Sequence, residues 1–428
     1  MNNKIKLAVA GAVLSAASVA NAGIIIPAGD WTLDINGNVN AFAIFGDADK
    51  TKGAGVTGGL AMTRDAEGED SSQGINTGLL PSWLGFTGTT RQNDVDVSFT
   101  ISFQPNASGN SAPGDVKTPL NRQAFVTFGD KSWGTVKLGK DLGVFAGQAI
   151  LNDMTLLGVG GGNAISGGST TLGGIGTGYI YPAWKGQIAY TTPNMNGFSA
   201  TIAITNPNQG NFGAASSATV STGGTTVVTD LELYQDRFGV EGQAMYEFTG
   251  DVSGKVWASG ASYDVTVGTN SAVGAAVASD SYTASVFDIG AAINSGNLGL
   301  VAYYYDGEGV GSTMMGGFAG ANGSTIIGGK AKKRDSDGGY VQATYIIPTG
   351  TKLGVSYGVS NLDDASGETG ADRNKLLDKN ERWTVGAYHP LTKHLNLVAE
   401  YNKVESEGQV SSNKTESDTF SLGAILFF

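Results

Sequence analysis

The sequence predicts an all-β fold, a transmembrane antiparallel β-barrel of about sixteen strands. Three observations predict it. Apolar and polar residues alternate with period two along most of the chain, short polar turns alternate with long polar loops, and an apolar N-terminal run has the form of an export signal.

The alternation is clearest near the C-terminus. Phe420, Leu422, Ala424, Leu426 and Phe428 share one face, with Ser421 and Gly423 on the other. Leu395, Leu397, Ala399 and Tyr401 oppose Asn396, Glu400 and Asn402, and Leu353, Val355, Tyr357 and Val359 oppose Lys352, Gly354, Ser356, Gly358 and Ser360. One face is apolar with aromatics near its ends and the other is small or polar, which suits lipid outside and water inside. A soluble two-sheet sandwich would also alternate, but it would not need long loops all on one side.

Short turns fall near 91–94, 129–132, 194–197, 249–252, 294–297, 348–351 and 390–393. Their Gly, Asn, Asp and Pro supply the backbone angles of tight turns. Between them lie longer polar links near 47–79, 105–119, 141–183, 207–234, 266–280, 306–337, 361–380 and 404–416. Seven turns and eight loops imply sixteen strands with both termini on the short-turn, periplasmic side and the long loops extracellular. Backbone in lipid must be hydrogen-bonded internally, so such a sheet closes on itself, and sixteen strands leave an aqueous lumen.

Lys4 and Lys6 precede an uncharged apolar run over 7–20, and Ala20-Asn21-Ala22 offers a small-x-small cleavage site. The run is shorter than the roughly 20 apolar residues a spanning helix needs. Residues 1–22 are therefore expected to be a cleaved signal peptide and 23–428 a single barrel domain. Loss of Lys4 and Lys6 takes the formal charge from −12 to −14. The acidic balance argues against nucleic acid as a partner and, in a pore, favours cations. The absence of cysteine excludes disulfides and thiolate sites.

Several stretches then point to a family. Leu84-Gly85-Phe86-Thr87-Gly88-Thr89, Asn121-Arg122-Gln123-Ala124-Phe125-Val126 followed by residues 133–140, the hairpin around Tyr190-Thr191-Thr192-Pro193-Asn194-Met195-Asn196-Gly197-Phe198, and the terminal Phe428 together resemble the Gram-negative trimeric porins. The resemblance implies a homotrimer in the outer membrane, in contact with the lipid bilayer and lipopolysaccharide, with one pore per subunit for passive diffusion of small polar solutes and ions. It implies that Phe428 is the signal to the outer-membrane assembly machinery. It also implies that the third loop, 141–183, folds into the lumen as a constriction, where loop acids face wall cations. By position, Asp153 matches a loop carboxylate, Arg122 and Lys140 match wall or loop-flanking cations, and Lys185 matches another basic wall position. Trp83 stands where the family has a second-strand arginine, and Leu156, Leu157 and Gly158 replace a Pro-Glu-Phe-Gly-Gly stretch. Fewer charges than usual in the family then line the constriction, and a pocket partly lined by apolar residues and glycine could favour a particular solute.

Other motifs carry less. Residues 173–178 (GGIGTG) lack the strand–helix setting of a phosphate loop. Lys330, Lys332, Lys333 and Arg334 form a basic loop cluster, either solvated or facing lipopolysaccharide phosphates. Asp335-Ser336-Asp337-Gly338 lacks the glutamate of a calcium loop. The two histidines, His389 and His394, flank a predicted periplasmic turn, so neither serves a triad at the outer rim. No catalytic, cofactor or metal site is expected; the alternative function is a non-conducting adhesin or structural barrel acting through its loops.

Overall fold

The structure, a computed structural model, describes residues 23–428 apart from 49–50, 54, 65–67, 106–119, 162–169, 207–217, 223–224, 230–236, 268–279, 316–322 and 329. The expected signal peptide, the link near 105–119 almost entirely, and most of those near 207–234 and 266–280 thus lie outside the described residues.

Sixteen strands form the wall. They are β1 Trp31–Ala48, β2 Trp83–Gln92, β3 Val95–Gln104, β4 Leu120–Asp130, β5 Gly134–Leu142, β6 Trp184–Thr191, β7 Phe198–Thr205 and β8 Gly239–Phe248, then β9 Val252–Val267, β10 Asp280–Ser295, β11 Leu298–Glu308, β12 Asp335–Ile346, β13 Lys352–Leu362, β14 Leu377–Pro390, β15 Leu395–Gly408 and β16 Lys414–Phe427. Each pairs antiparallel with its neighbours in sequence. The ring closes where β1 meets β16 from Asn38↔Phe427 to Ala48↔Ser417, and meets β2 from Thr32↔Thr89 to Asn38↔Trp83. Phe428 adds a reciprocal backbone pair with Gly37 at that seam. All seven predicted turns join consecutive strands. The first is built on Asn93 and Asp94, both at positive φ, as a tight hairpin turn requires.

One predicted link is shorter than expected. Residues 404–416 are mostly strand, with β15 and β16 continuing to Gly408 and Lys414. The polarity read as a loop is a ladder of ion pairs, Lys414 to Glu405 and Glu416 and Lys403 to Glu416, on the outward phase of the two strands. Opposite charges across adjacent strands support a sheet as well as they decorate a loop.

The two faces follow the predicted alternation. Leu353, Leu397 and Leu422 are exposed on the outside, whereas Ser356, Asn396 and Ser421 point inward and are buried. The lumen holds more protein than sixteen strands require. Phe145, Ala149, Ile180 and Tyr181 of the 143–183 segment pack with the inward residues Trp257, Tyr263, Tyr303, Tyr305 and Tyr340 and with Val310, Met314 and Met315. Leu60 and Ala61 of the first long link pack against Val404. Part of the interior is therefore a packed core rather than open water, because loop residues bring apolar surface inside and bury it against inward aromatics.

Candidate functional site

The long segment after β5 turns into the barrel and crosses to the opposite wall. It contains helix α1, Gly147–Asn152, entered through Ala146 at φ 57°, and a 3-10 turn, Met154–Leu157. Side chains from five wall strands take hold of its backbone. Glu241 on β8 accepts from the amides of Val144 and Phe145 at 2.7 and 3.0 Å. Asp288 on β10 accepts from the Ala146 amide at 3.1 Å. On β12, the Tyr340 hydroxyl donates to the Ala149 carbonyl at 2.8 Å and Gln342 Oε1 accepts from the Met154 amide at 2.7 Å. Glu400 on β15 accepts from the amides of Val159 and Gly160 at 2.9 and 2.8 Å and from the Tyr388 hydroxyl of β14 at 2.7 Å. On β13, Ser360 Oγ accepts from the Gly178 amide at 2.9 Å. A hydrogen bond to an ionised group contributes about 1.5–3 kcal/mol, so these contacts define one seat for the loop.

The seat also demands close approach. A side chain at Gly358 would meet the carbonyl oxygen of Thr177, and one at Gly158 would meet the Glu400 carboxylate. Glycine lets the backbone lie against the wall at both positions.

The residues singled out from the sequence occupy different places. Asp153 is buried inside the loop. It caps the 3-10 turn by accepting from the Thr155 amide at 2.9 Å, and accepts from the Gly174 amide at 3.0 Å and the Tyr179 hydroxyl at 2.9 Å. Its charged partner among the described residues is Arg382 of β14, at 3.9 Å and equally buried, rather than Arg122 or Lys140. Lys140 pairs in register with Ala124 and shares the phase of Leu138, which pairs with the exposed Ile188, so it stands on the outward face; Lys137 is the inward lysine of β5. Arg122 is the extra residue at a bulge where the pairing shifts between Ser102 and Phe103, and its guanidinium lies 6.0 Å from the Trp184 ring centre. Lys185 is inward and buried, with Nζ 2.5 Å from Glu241 Oε1, and thereby fixes the carboxylate that holds the start of the loop. Trp83 is buried in an apolar cluster with Phe42, Leu80, Met154 and Val159, where the loop meets the β1–β2 seam.

Glu241, Asp288, Gln342 and Arg382 escaped the reading of the sequence, and Glu400 was placed there on the polar face but given no role. Each was visible as a polar or charged residue on the inward phase of an alternating strand, and that signal alone could have found them. Opposite the seat, strands β2–β7 present Thr87, Thr100, Ser102, Gln104, Gln123, Thr127 and Gln187 inward, all uncharged. Above the turns their inward phase carries Lys185, committed to Glu241 of β8, and one ion pair within the arc, Lys137 with Asp141, the latter also accepting from Gln123 Nε2 at 3.0 Å.

Of the other motifs, residues 173–178 lie inside the loop, bonded to Asp153 and Ser360 through Gly174 and Gly178. In the basic cluster, Arg334 is buried and bidentate to Glu368, at 2.5 and 3.0 Å, while Lys330 and Lys333 meet Asp280 and Glu308.

A closed sixteen-strand barrel has known counterparts. The Gram-negative porin family matches residues 7–409. The chain belongs to that family. No curated relative matches it in sequence. Among solved structures, this porin is similar to the outer membrane channel DcaP of Acinetobacter baumannii, with TM-score 0.64 and 14% identity over 94% of this chain and 99% of that one. It is also similar to an anion-selective porin from Comamonas acidovorans, with TM-score 0.55 and 16% identity over 93% and 100%. The trimer form of OmpT from Vibrio cholerae gives TM-score 0.53 and 13% identity over 93% and 99%. At these identities the likeness is one of fold, and family membership makes the chain an outer-membrane channel.

Proposed function

We propose that this porin is a homotrimeric passive channel through which small hydrophilic solutes cross the outer membrane, one pore per subunit, after removal of residues 1–22. The observation that carries the reading is the loop 143–183, clamped across the lumen opposite a wall of hydroxyl and amide side chains. Hydroxyls and amides replace part of a solute's hydration without favouring either sign of charge. The acidic excess suggests cation preference, but the described inward groups of the membrane-spanning wall are close to balanced, so ionic preference is mild and set by few residues. The family and the trimer form of the similar OmpT support the homotrimer. Phe428, at the barrel seam, is proposed as the residue read by the assembly machinery, and the outer rim is proposed to meet lipopolysaccharide.

Conductance of the purified protein in a planar bilayer tests the reading. Stepwise insertions of equal conductance, in groups of three, are expected. A folded barrel that never conducts would instead be a structural or adhesive one.

A further inference from the structure

Most lumen-side charges of the barrel are committed, although Arg122 at the β4 bulge, beside the Trp184 ring, has no ion pair among the described residues. Lys185 is paired with Glu241, Arg382 with Asp153 and Lys137 with Asp141. Asp288 and Glu400 are occupied by loop amides and tyrosine hydroxyls. Lys255 donates to Gln148 Oε1 of α1 at 2.8 Å and faces Glu247 across the β8–β9 pair.

Lys352 differs. It is the first residue of β13 and is on the inward phase, opposite Ile346 and Tyr388 in register. It is half-buried, and its ammonium lies 5.0 Å from the centre of the Tyr388 ring. Among the described residues it has no carboxylate within ion-pair distance. The acid reached through Tyr388 is Glu400, already spent on the loop. The inward acids Asp34 and Glu247 stand on β1 and β8, four and five strands away round the closed sheet.

Its height matters as much as its freedom. The next inward residue is Gly354, where a Cβ would come within 2.8 Å of Met154 Sδ. Lys352 is thus one inward step below the point where the loop touches the wall. An ammonium braced on an aromatic face, on the inward phase just below the docked loop and with no counter-charge among the described residues, raises the local concentration of anions on the approach to the loop.

Resting on the channel reading above, we infer that Lys352 is a specificity-determining residue of this pore, drawing small anions such as carboxylates and phosphates past the loop against the chain's overall negative charge.

The test is the zero-current potential of the purified protein in a planar bilayer under a potassium chloride gradient. Wild type is compared with Lys352→Gln, Lys352→Glu and Lys352→Arg, and with Lys330→Gln on an exposed loop as control. The chloride-to-potassium permeability ratio should fall about two- to tenfold in Lys352→Glu, the order of effect expected from reversing one lumen-facing unit charge at an intermediate dielectric. Lys352→Gln should fall part of the way, Lys352→Arg should stay near wild type, and the shifts should shrink near molar salt. If Lys352→Glu does not assemble, the near-isosteric Lys352→Gln decides. Conducting Lys352 variants that match Lys330→Gln would overturn the inference and leave the channel standing. A wild-type barrel that does not conduct would overturn the channel reading, and the inference with it.

Discussion

Strands β8–β15 and β2–β7 face the same lumen and alternate in the same way, yet their inward residues do different work. On the first arc, Glu241, Asp288, Gln342, Arg382 and Glu400 hold the backbone or the buried Asp153 of the loop. On the second, Thr87 bonds Thr100 and Ser98 bonds Thr127, so the hydroxyls satisfy one another across the sheet. The difference teaches that a charge on the lumen phase of a barrel is not automatically a charge in the pore. Where a loop is docked, the charge is consumed by the docking, and selectivity falls to the residues left over.

The largest expected effect comes from breaking the docked arc at Glu400. Replacing it with alanine leaves the amides of Val159 and Gly160 and the Tyr388 hydroxyl without an acceptor. At about 1.5–3 kcal/mol for each bond to a charged group, the loop should lose its seat around residue 158. Single-channel conductance should rise and become noisy while the barrel still shifts its gel mobility on boiling. A quiet channel of wild-type conductance would show that Glu400 is not a clamp.

Asp153→Asn separates two meanings of the same carboxylate. As a free pore charge its loss would move the zero-current potential and little else. Buried with Arg382, its loss leaves an uncompensated cation and should cost about 3–5 kcal/mol. A lowered unfolding temperature in detergent, with loosened gating, is the outcome expected. A clean change of selectivity at unchanged stability would return Asp153 to the pore.

The outer face gives the next effect, on assembly rather than on permeation. Leu397 and Leu422 are 41% and 47% exposed on the outward phase. Arginine at either should cost about 2–4 kcal/mol near the bilayer midplane and reduce folded protein in membranes. Normal assembly of both variants would mean that this stretch of wall does not face lipid.

What could be read from the sequence divides along the same line. Period-two alternation and turn chemistry are local, so Leu397, Leu422, Asn93 and Asp94 declared their places without any knowledge of the ring. The phase of Lys140 was equally legible, since Val136 and Leu138 precede it at two-residue intervals on the apolar face. Motif likeness selected it because likeness matches positions along the chain, whereas the sheet sorts side chains by parity. The clamps were not legible as clamps. Nothing near Glu400 in sequence indicates that Val159 and Gly160, some 240 residues away, will present it with two amides. That pairing depends on how far β5 and β6 lie from β15 round a closed barrel. Helix α1 was missed for a similar reason: its apolar residues are buried against the wall rather than displayed with helical period.

The smallest expected effect is also the sharpest comparison, because it uses one residue type on both arcs. Gln342 on β12 accepts from the Met154 amide at 2.7 Å and donates to the Asn152 carbonyl at 3.2 Å, so it joins α1 to the 3-10 turn that follows. Gln123 on β4 donates to Asp141 at 3.0 Å, and Asp141 keeps Lys137 without it. Alanine at Gln342 strands two loop backbone groups inside the barrel, a loss of about 1–3 kcal/mol in docking. Alanine at Gln123 removes one bond from an ion pair that survives, within about 1 kcal/mol, and frees space on the undocked arc. Gln342→Ala should therefore raise current noise and lower the unfolding temperature, while Gln123→Ala should raise conductance slightly with both unchanged. Both variants measured side by side in one membrane and one salt test the division of the wall directly. Equal effects would mean that the two arcs do not differ in the way their hydrogen bonds suggest, and that the loop is held by packing around Phe145 and Tyr179 instead.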